Sequence, residues 1–130
     1  MIELRIDART GLPAYLQIVQ QVKHALRLGL LAPGDQMPTV RELVASLAIN
    51  PNTVMKAYRE LEFEGLIGGR PGQGTFVLQT LAGPSHDDLI EMRAGLNRWF
   101  DRARELSLDR ESIVALFTTT LRQHYKEAVA

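Results

Sequence analysis

The stretch from Thr39 to Gly65 holds two helix starts and a stop in a span that leaves room only for a pair of short, angled helices. Thr39 followed by Glu42 forms a capping box, in which the hydroxyl takes a free backbone N–H and the glutamate reaches back to the cap's own amide. Leu43, Val44 and Leu47 supply the buried side of the helix that follows. At Ala48-Ile49-Asn50-Pro51 the pattern breaks and restarts, with Asn50 as N-cap and Pro51 at the first helical position, where its missing N–H is not needed. Val54, Ala57, Tyr58 and Leu61 fall on one side of this next helix, and Gly65 is placed to end it in a left-handed cap with Leu66 folding back. The pattern is helix, short turn, helix.

The flanks extend it in both directions. Ile2-Glu3-Leu4-Arg5-Ile6 alternates as a short strand does, and a turn at Thr10-Gly11 leads to Pro13, expected as the first residue of a helix over 13–29. Tyr15, Ile18, Val22, Ala25 or Leu26 and Gly29 recur on one face of that helix. Ala32-Pro33-Gly34-Asp35 spells a type II turn. After Gly65, Leu66-Ile67-Gly68 and Thr75-Phe76-Val77-Leu78 are β-prone, and Gly69 to Gly74 joins them as a hairpin with a flexible tip. Beyond a break at 81–85, Ser85 or Asp87 caps a helix carrying Leu89, Met92, Leu96, Trp99 or Phe100, Ala103 and Leu106. Asp109 caps another, bearing Ile113, Leu116 or Phe117, Thr120, Leu121 and Tyr125. The expected fold is mainly α with a small β-hairpin wing: a winged helix-turn-helix over 1–80, then a two-helix hairpin over 81–130.

Composition narrows the function classes. A chain of 130 residues has room for about one ordinary domain and none for a separate cofactor domain. It has no cysteine, which removes disulfides, thiolate nucleophiles and cysteine-bound zinc. His24, His86 and His124 lack ligand spacing, so no metal is expected. Asp87-Asp88 fits a helix N-terminal charge pair better than an acid and base for catalysis. No enzyme and no cofactor is expected. The opening residues carry no export signal, and no apolar run approaches the roughly 20 residues of a membrane span, so the expected place is the cytoplasm, away from membranes. Basic and acidic residues number fifteen each, eight and seven of them through Thr80. A nucleic-acid function therefore has to come from where the few cations sit.

They sit suggestively. At about 100° per residue, Asn52, Lys56 and Arg59 lie opposite the apolar stripe of the helix after Pro51, with Thr53 and Met55 on its flanks. Asn pairs bidentately with adenine, Lys and Arg reach guanine or phosphate, and Thr or Met touches a thymine methyl. Thr39 and Arg41, at the start of the preceding helix, are placed for a phosphate. The hairpin tip can reach the backbone or the adjacent minor groove. Phe63 is left pointing outward and is expected to pack on the wing or on a partner chain. The alternative is a winged-helix protein-interaction module without DNA binding, which would have no need of this polar and basic stripe.

Residues from about Tyr15 to Val77 resemble the winged helix-turn-helix of GntR-type bacterial transcriptional regulators. The resemblance is carried by Gly34-Asp35-Gln36-Met37-Pro38-Thr39-Val40-Arg41-Glu42-Leu43, Asn52-Thr53-Val54-Met55-Lys56-Ala57-Tyr58, Leu61-Glu62-Phe63-Glu64-Gly65-Leu66-Ile67 and Gly72-Gln73-Gly74-Thr75-Phe76-Val77. Asn50-Pro51-Asn52-Thr53-Val54 with a short two-helix tail is similar to the YtrA-type subgroup. That likeness implies control of a transporter operon and dimerisation through the tail. It also implies DNA contacts at Thr39, Arg41, Asn50, Asn52, Thr53, Lys56 and the wing residues Gly72, Gln73, Gly74 and Thr75. Pro51 and Met55 replace residues that are basic in some relatives and are left off this set.

The tail has its own implication. Two helices of this length cannot bury their apolar faces on each other alone, which leaves a partner surface at Leu89, Met92, Leu96, Trp99, Phe100, Ile113, Leu116, Phe117 and Leu121. A homodimer is expected, presenting two recognition helices to a pseudo-palindromic double-stranded operator, most simply as a repressor. A small-molecule effector, of a kind the residues do not name, would have to enter at the dimer interface or between the domains.

Overall fold

A computed structural model of the chain describes residues 2–81, 83 and 86–125. The chain divides into two compact units, Met1–His86 and Asp87–Ala130.

The first unit is organised around three helices, α1 (Ala14–Arg27), α2 (Val40–Leu47) and α3 (Pro51–Phe63). Ile18, Val22 and Leu26 of α1 and Val54, Ala57 and Leu61 of α3 form the centre of its core, joined by Leu43, Met37, Ile67 and Val77. Apolar residues recurring every third or fourth position give each helix one face to bury, and α1 and α2 both pack on α3. Tyr15 meets Lys56 and Lys23 meets Glu64, equal steps along both helices, so α1 and α3 run in the same direction.

Local signals fix the helix ends. The Thr39 hydroxyl accepts the Glu42 N–H at 3.0 Å, the forward half of the capping box. Gly65, at φ +76°, ends α3 in a Schellman motif: its own N–H bonds Glu62 O and the Leu66 N–H bonds Leu61 O. Gly34, at φ +94°, makes the expected turn, closed by Asp35 N–H to Ala32 O at 3.0 Å. Pro13 is one position earlier than expected, standing as the N-cap of α1 outside the helix proper.

The N-terminal segment corrects a second expectation, because residues 2–6 form no strand. Leu4 is buried and Ile2 and Ile6 pack on the core, but the backbone of Arg5 pairs with a side chain. The Gln21 carboxamide accepts from Arg5 N–H at 2.9 Å and donates to Arg5 O at 2.6 Å, and Gln17 does the same to Asp7 at 2.8 and 2.9 Å. Two glutamines one helical turn apart thus meet backbone groups two residues apart, which satisfies an alternating segment without a neighbouring strand. A single 3-10 turn, Ala8–Thr10, then leads to Gly11.

The wing is a hairpin of β1 (Ile67–Arg70) and β2 (Gly74–Val77), in the register Ile67 to Val77 and Arg70 to Gly74. Its strands run further than the sequence indicated, so the tip is only 71–73. The sequence also gave no hint that residues 34–37 line the outer edge of β2. Met37 N–H bonds Thr75 O, Val77 N–H bonds Asp35 O and Gly34 N–H bonds Val77 O, all at 2.8 to 2.9 Å.

The second unit holds α4 (His86–Glu105), apart from its first residue, and α5 (Arg110–His124). Asp87 lies in the first turn of α4 and does not cap it, and Ser85 lies outside the described residues. Asp109 caps α5 through a 2.8 Å bond from Ser112 N–H, which also holds its carboxyl below the usual range. Trp99 stands edge-on to Phe100 and to Phe117, with ring centroids 5.1 and 6.4 Å apart. Yet α5 has no buried residue, and Ala103 is the one buried residue among those described in this unit. Much of its apolar surface lacks cover.

Candidate nucleic-acid interface

The site begins with a cap. Asn50 Oδ1 accepts from Asn52 N–H at 2.8 Å and Pro51 starts α3, so the helix opens at a fixed point and sets the phase of every later residue. With Val54, Ala57, Tyr58 and Leu61 turned into the core, Asn52, Lys56 and Arg59 emerge on the exposed face, as their spacing predicts. Thr53 is half-buried on the flank, and Met55 is exposed.

Arg41 is exposed in the first turn of α2, beside Thr39. Because the Thr39 oxygen already accepts Glu42 N–H, its hydroxyl hydrogen remains as a donor. Behind them, the Tyr58 hydroxyl donates to Pro38 O, tying α3 to the turn that launches α2. Burial of the ring, and secondarily the nearby Glu42 charge, pushes the phenol well above its ordinary range.

On the wing, Gly72, Gln73 and Gly74 are exposed and Thr75 is half-buried. Gly72 adopts φ +73° and Gly74 φ +118°, conformations that favour glycine. Gln36 Nε2 donates to Gln73 O at 3.1 Å and so holds the tip from outside the hairpin. The candidates therefore stand on three elements of one unit. Among the described residues no hydrogen bond or ion pair joins one candidate side chain to another.

Two residues escaped the sequence analysis. Arg70 shares a face of the hairpin with Phe76, and its guanidinium carbon lies 4.2 Å from that ring's centroid. The strand alternation could have found it, since Ile67 and Val77 face the core and the cross-strand partners of Arg70 and Phe76 are Gly74 and Gly68. Tyr15 falls on the apolar face of α1 by its spacing, yet the Lys56 ammonium sits 4.0 Å from its ring centroid. Phe63 does not pack on the wing as was one expectation: it is 93% exposed.

The balanced total does not say which cations are paired. Among the described residues the ion pairs are Arg5–Glu3, Arg9–Asp7, Lys23–Glu64, Arg102–Glu105 and Arg104–Asp101. Arg41, Lys56, Arg59 and Arg70 appear in none of them, and neither do Arg27, Arg93, Arg98, Arg110 and Arg122. Exposed cations without carboxylate partners, on a projecting helix and a hairpin, are what a polyanion needs.

The model for bacterial regulatory proteins of the gntR family matches residues 14–77, from the start of α1 to the end of the wing. The HTH-type transcriptional regulator YhcF of Bacillus subtilis is 36% identical over 104 residues, covering 78% of this chain and 84% of that protein. The chain belongs to the GntR family. This GntR-family chain is a DNA-binding transcriptional regulator and not an enzyme. It is also similar to the HTH-type transcriptional repressor YtrA of Bacillus subtilis, 49% identical over 74 residues, a match that spans 57% of each protein. Among solved structures, the AraR DNA-binding domain in complex with operator ORX1 is similar at a TM-score of 0.52 and 27% identity, over 59% of this chain and 99% of that one. The GntR-family unit thus has its counterpart in a domain seen on DNA. Among the described residues no helix is long and apolar enough to cross a membrane.

Proposed function

We propose that this GntR-family regulator is a cytoplasmic repressor that binds a pseudo-palindromic operator as a homodimer. Residues 1–80 contact DNA and 81–130 hold the two copies together. The observation that carries the reading is the exposed face of α3, where Asn52, Lys56 and Arg59 stand opposite a fully buried stripe. In this reading Asn52 and Thr53 touch base edges, and Lys56 and Arg59 reach guanine or phosphate. Thr39, Arg41 and Asn50 hold the strand at the helix starts, while Arg70, Gln73 and the glycines of the wing reach the adjacent groove. The similarity of the wing-bearing unit to an operator-bound domain supports this docking.

Repression is supported by the similarity to a protein named as a transcriptional repressor, and control of a transporter operon by the YtrA-type likeness of Asn50 to Val54 with a two-helix tail. The dimer is supported by the uncovered tail. A groove of about 620 Å³ lies along α4 and α5, lined by Leu96, Trp99, Leu116, Phe117, Leu121 and Tyr125 among others. Helices from a second copy fill it, and an effector would enter at that interface.

The test is to sequence the genomic fragments that the full chain retains at physiological salt, with the Arg41→Ala, Lys56→Ala double variant as control. Recovery of one or a few promoter regions containing an inverted repeat, lost in the variant, is the expected result. Equal recovery by both proteins, or recovery of unrelated sequence only, would overturn it.

A further inference from the structure

Two cations of the DNA-facing surface are held by aromatic rings. Lys56 rests on the Tyr15 ring and Arg70 on the Phe76 ring, at 4.0 and 4.2 Å. Some exposed cations elsewhere rest on carboxylates instead, as Arg9 does on Asp7 and Arg104 on Asp101. The difference matters to a chain of zero net charge, because a carboxylate neutralises the cation it holds and must be displaced by an incoming phosphate. An aromatic face holds a cation through its quadrupole and leaves the positive charge undiminished. It also limits the wandering of a long side chain, so less freedom is lost when the contact with DNA forms.

We propose that Tyr15 and Phe76 are positioning residues for DNA binding, each an aromatic platform that presents an unneutralised cation, Lys56 from the recognition helix and Arg70 from the wing. The assignment rests on the DNA-binding reading above. Both platforms are anchored: Tyr15 is half-buried against the core, and Phe76 is half-buried between its strand neighbours, where Gln36 pairs with it. The wing is cut to suit. Gly68 and Gly74 stand across from Phe76 and Arg70 in the hairpin, so neither cross-strand partner adds a side chain of its own to the pair. On α3, Glu60 lies one turn beyond Lys56 and is the obvious rival partner. With the lysine on the N-terminal side, that pairing has the weaker of the two orientations, which leaves the ring as the holder.

The test has two parts, both on the full chain. In the free protein, the Lys56 side-chain methylene protons should show upfield ring-current shifts that persist in Tyr15→Phe and vanish in Tyr15→Leu. On a duplex selected from random sequence by the wild type, Tyr15→Phe should bind within about twofold of wild type. Tyr15→Leu should bind about two- to fivefold more weakly, the range expected of an exposed cation–ring contact. In a Lys56→Ala background Tyr15→Leu should cost nothing further, and the corresponding cycle of Phe76→Leu with Arg70→Ala should couple in the same way. Equal losses with and without Lys56, or ring-current shifts absent from the wild type, would overturn the platform. A wild type that selects no duplex, with the ring-current shifts intact, would instead overturn the DNA-binding reading and the positioning role with it.

Discussion

The hydroxyl of Tyr58 in α3 donates a hydrogen bond to the carbonyl of Pro38, the residue before the Thr39 cap of α2. One buried bond therefore sets how the two helices of the DNA-facing motif lie against each other. Tyr58→Phe keeps the ring and its packing but leaves a buried carbonyl without its donor, a loss of about 1 to 3 kcal/mol. Urea denaturation should show the reduced midpoint with an unchanged slope.

The same residue gives the fold an alkaline limit. Burial first, and the Glu42 charge second, raise the Tyr58 phenol above its ordinary value of about 10. Because the folded state holds the proton more tightly than the unfolded state, this contribution is full below about pH 10 and is lost as pH rises above it. Wild type should lose stability between about pH 10 and 12 more steeply than Tyr58→Phe, measured by thermal unfolding at each pH.

Gln17 is a buried polar residue whose carboxamide accepts from Asp7 N–H and donates to Asp7 O, Leu12 O and Thr10 Oγ1. Gln17→Ala should destabilise the unit by about 2 kcal/mol, since several partly buried groups lose their partner together. Gln21→Ala, whose bonds to Arg5 are exposed, should cost less than about 1 kcal/mol. Amide exchange at Asp7 and Arg5 separates the two effects: each variant should free its own amide.

This strap shows where a sequence stops being legible. The three helices of the first unit and the hairpin could be read because capping, period and turn chemistry are local: Asn50-Pro51 and Gly65 act on their own neighbours. Once α3 is phased by its cap, Asn52, Lys56 and Arg59 must emerge together. The N-terminal segment could not be read, because its alternation has the period of a strand while its partners are two side chains far along the chain. The edge formed by 34–37 against β2 and the ring under Lys56 were hidden for the same reason. Each depends on a contact between elements, and nothing local distinguishes a tyrosine in the core from one at its margin holding a cation.

The wing glycines should differ from each other. A methyl at Gly72 meets nothing within 4 Å, so Gly72→Ala carries only the strain of φ +73°, about 1 kcal/mol. Gly74 is at φ +118° and a methyl there would come within 2.9 Å of Gln36 Nε2, the group that holds the tip through Gln73 O. Gly74→Ala should cost about 1 to 3 kcal/mol and loosen the tip. Its loss of affinity for a selected duplex should exceed that of Gly72→Ala.

Each cation that meets a phosphate should appear in the salt dependence. Arg41→Ala and Lys56→Ala should weaken binding across sequences and each lower the slope of log K against log salt by about 1 for every site it occupies. Asn52→Ala should act otherwise, leaving the slope near wild type while relaxing preference at one base pair, read by competition among single-base variants of the duplex. A shallow wild-type slope, unchanged by Arg41→Ala, would contradict phosphate contact at α2.

Leu116 offers the sharpest test of the dimer. It lines the tail groove, is 48% exposed, and belongs to a helix without a buried residue, so the unit's own fold asks little of it. Leu116→Glu places a carboxylate where a second copy would remove it from water, a penalty of several kcal/mol for each copy of an ion left without a partner. The variant should keep its helical circular dichroism yet sediment as a monomer at micromolar concentration, where the wild type sediments as a dimer. Its binding to a selected inverted repeat should then fall steeply while binding to a single half-site stays the same, because only joint engagement of two copies has been lost. Equal loss on both duplexes would place Leu116 in the fold of the protein and not in its pairing.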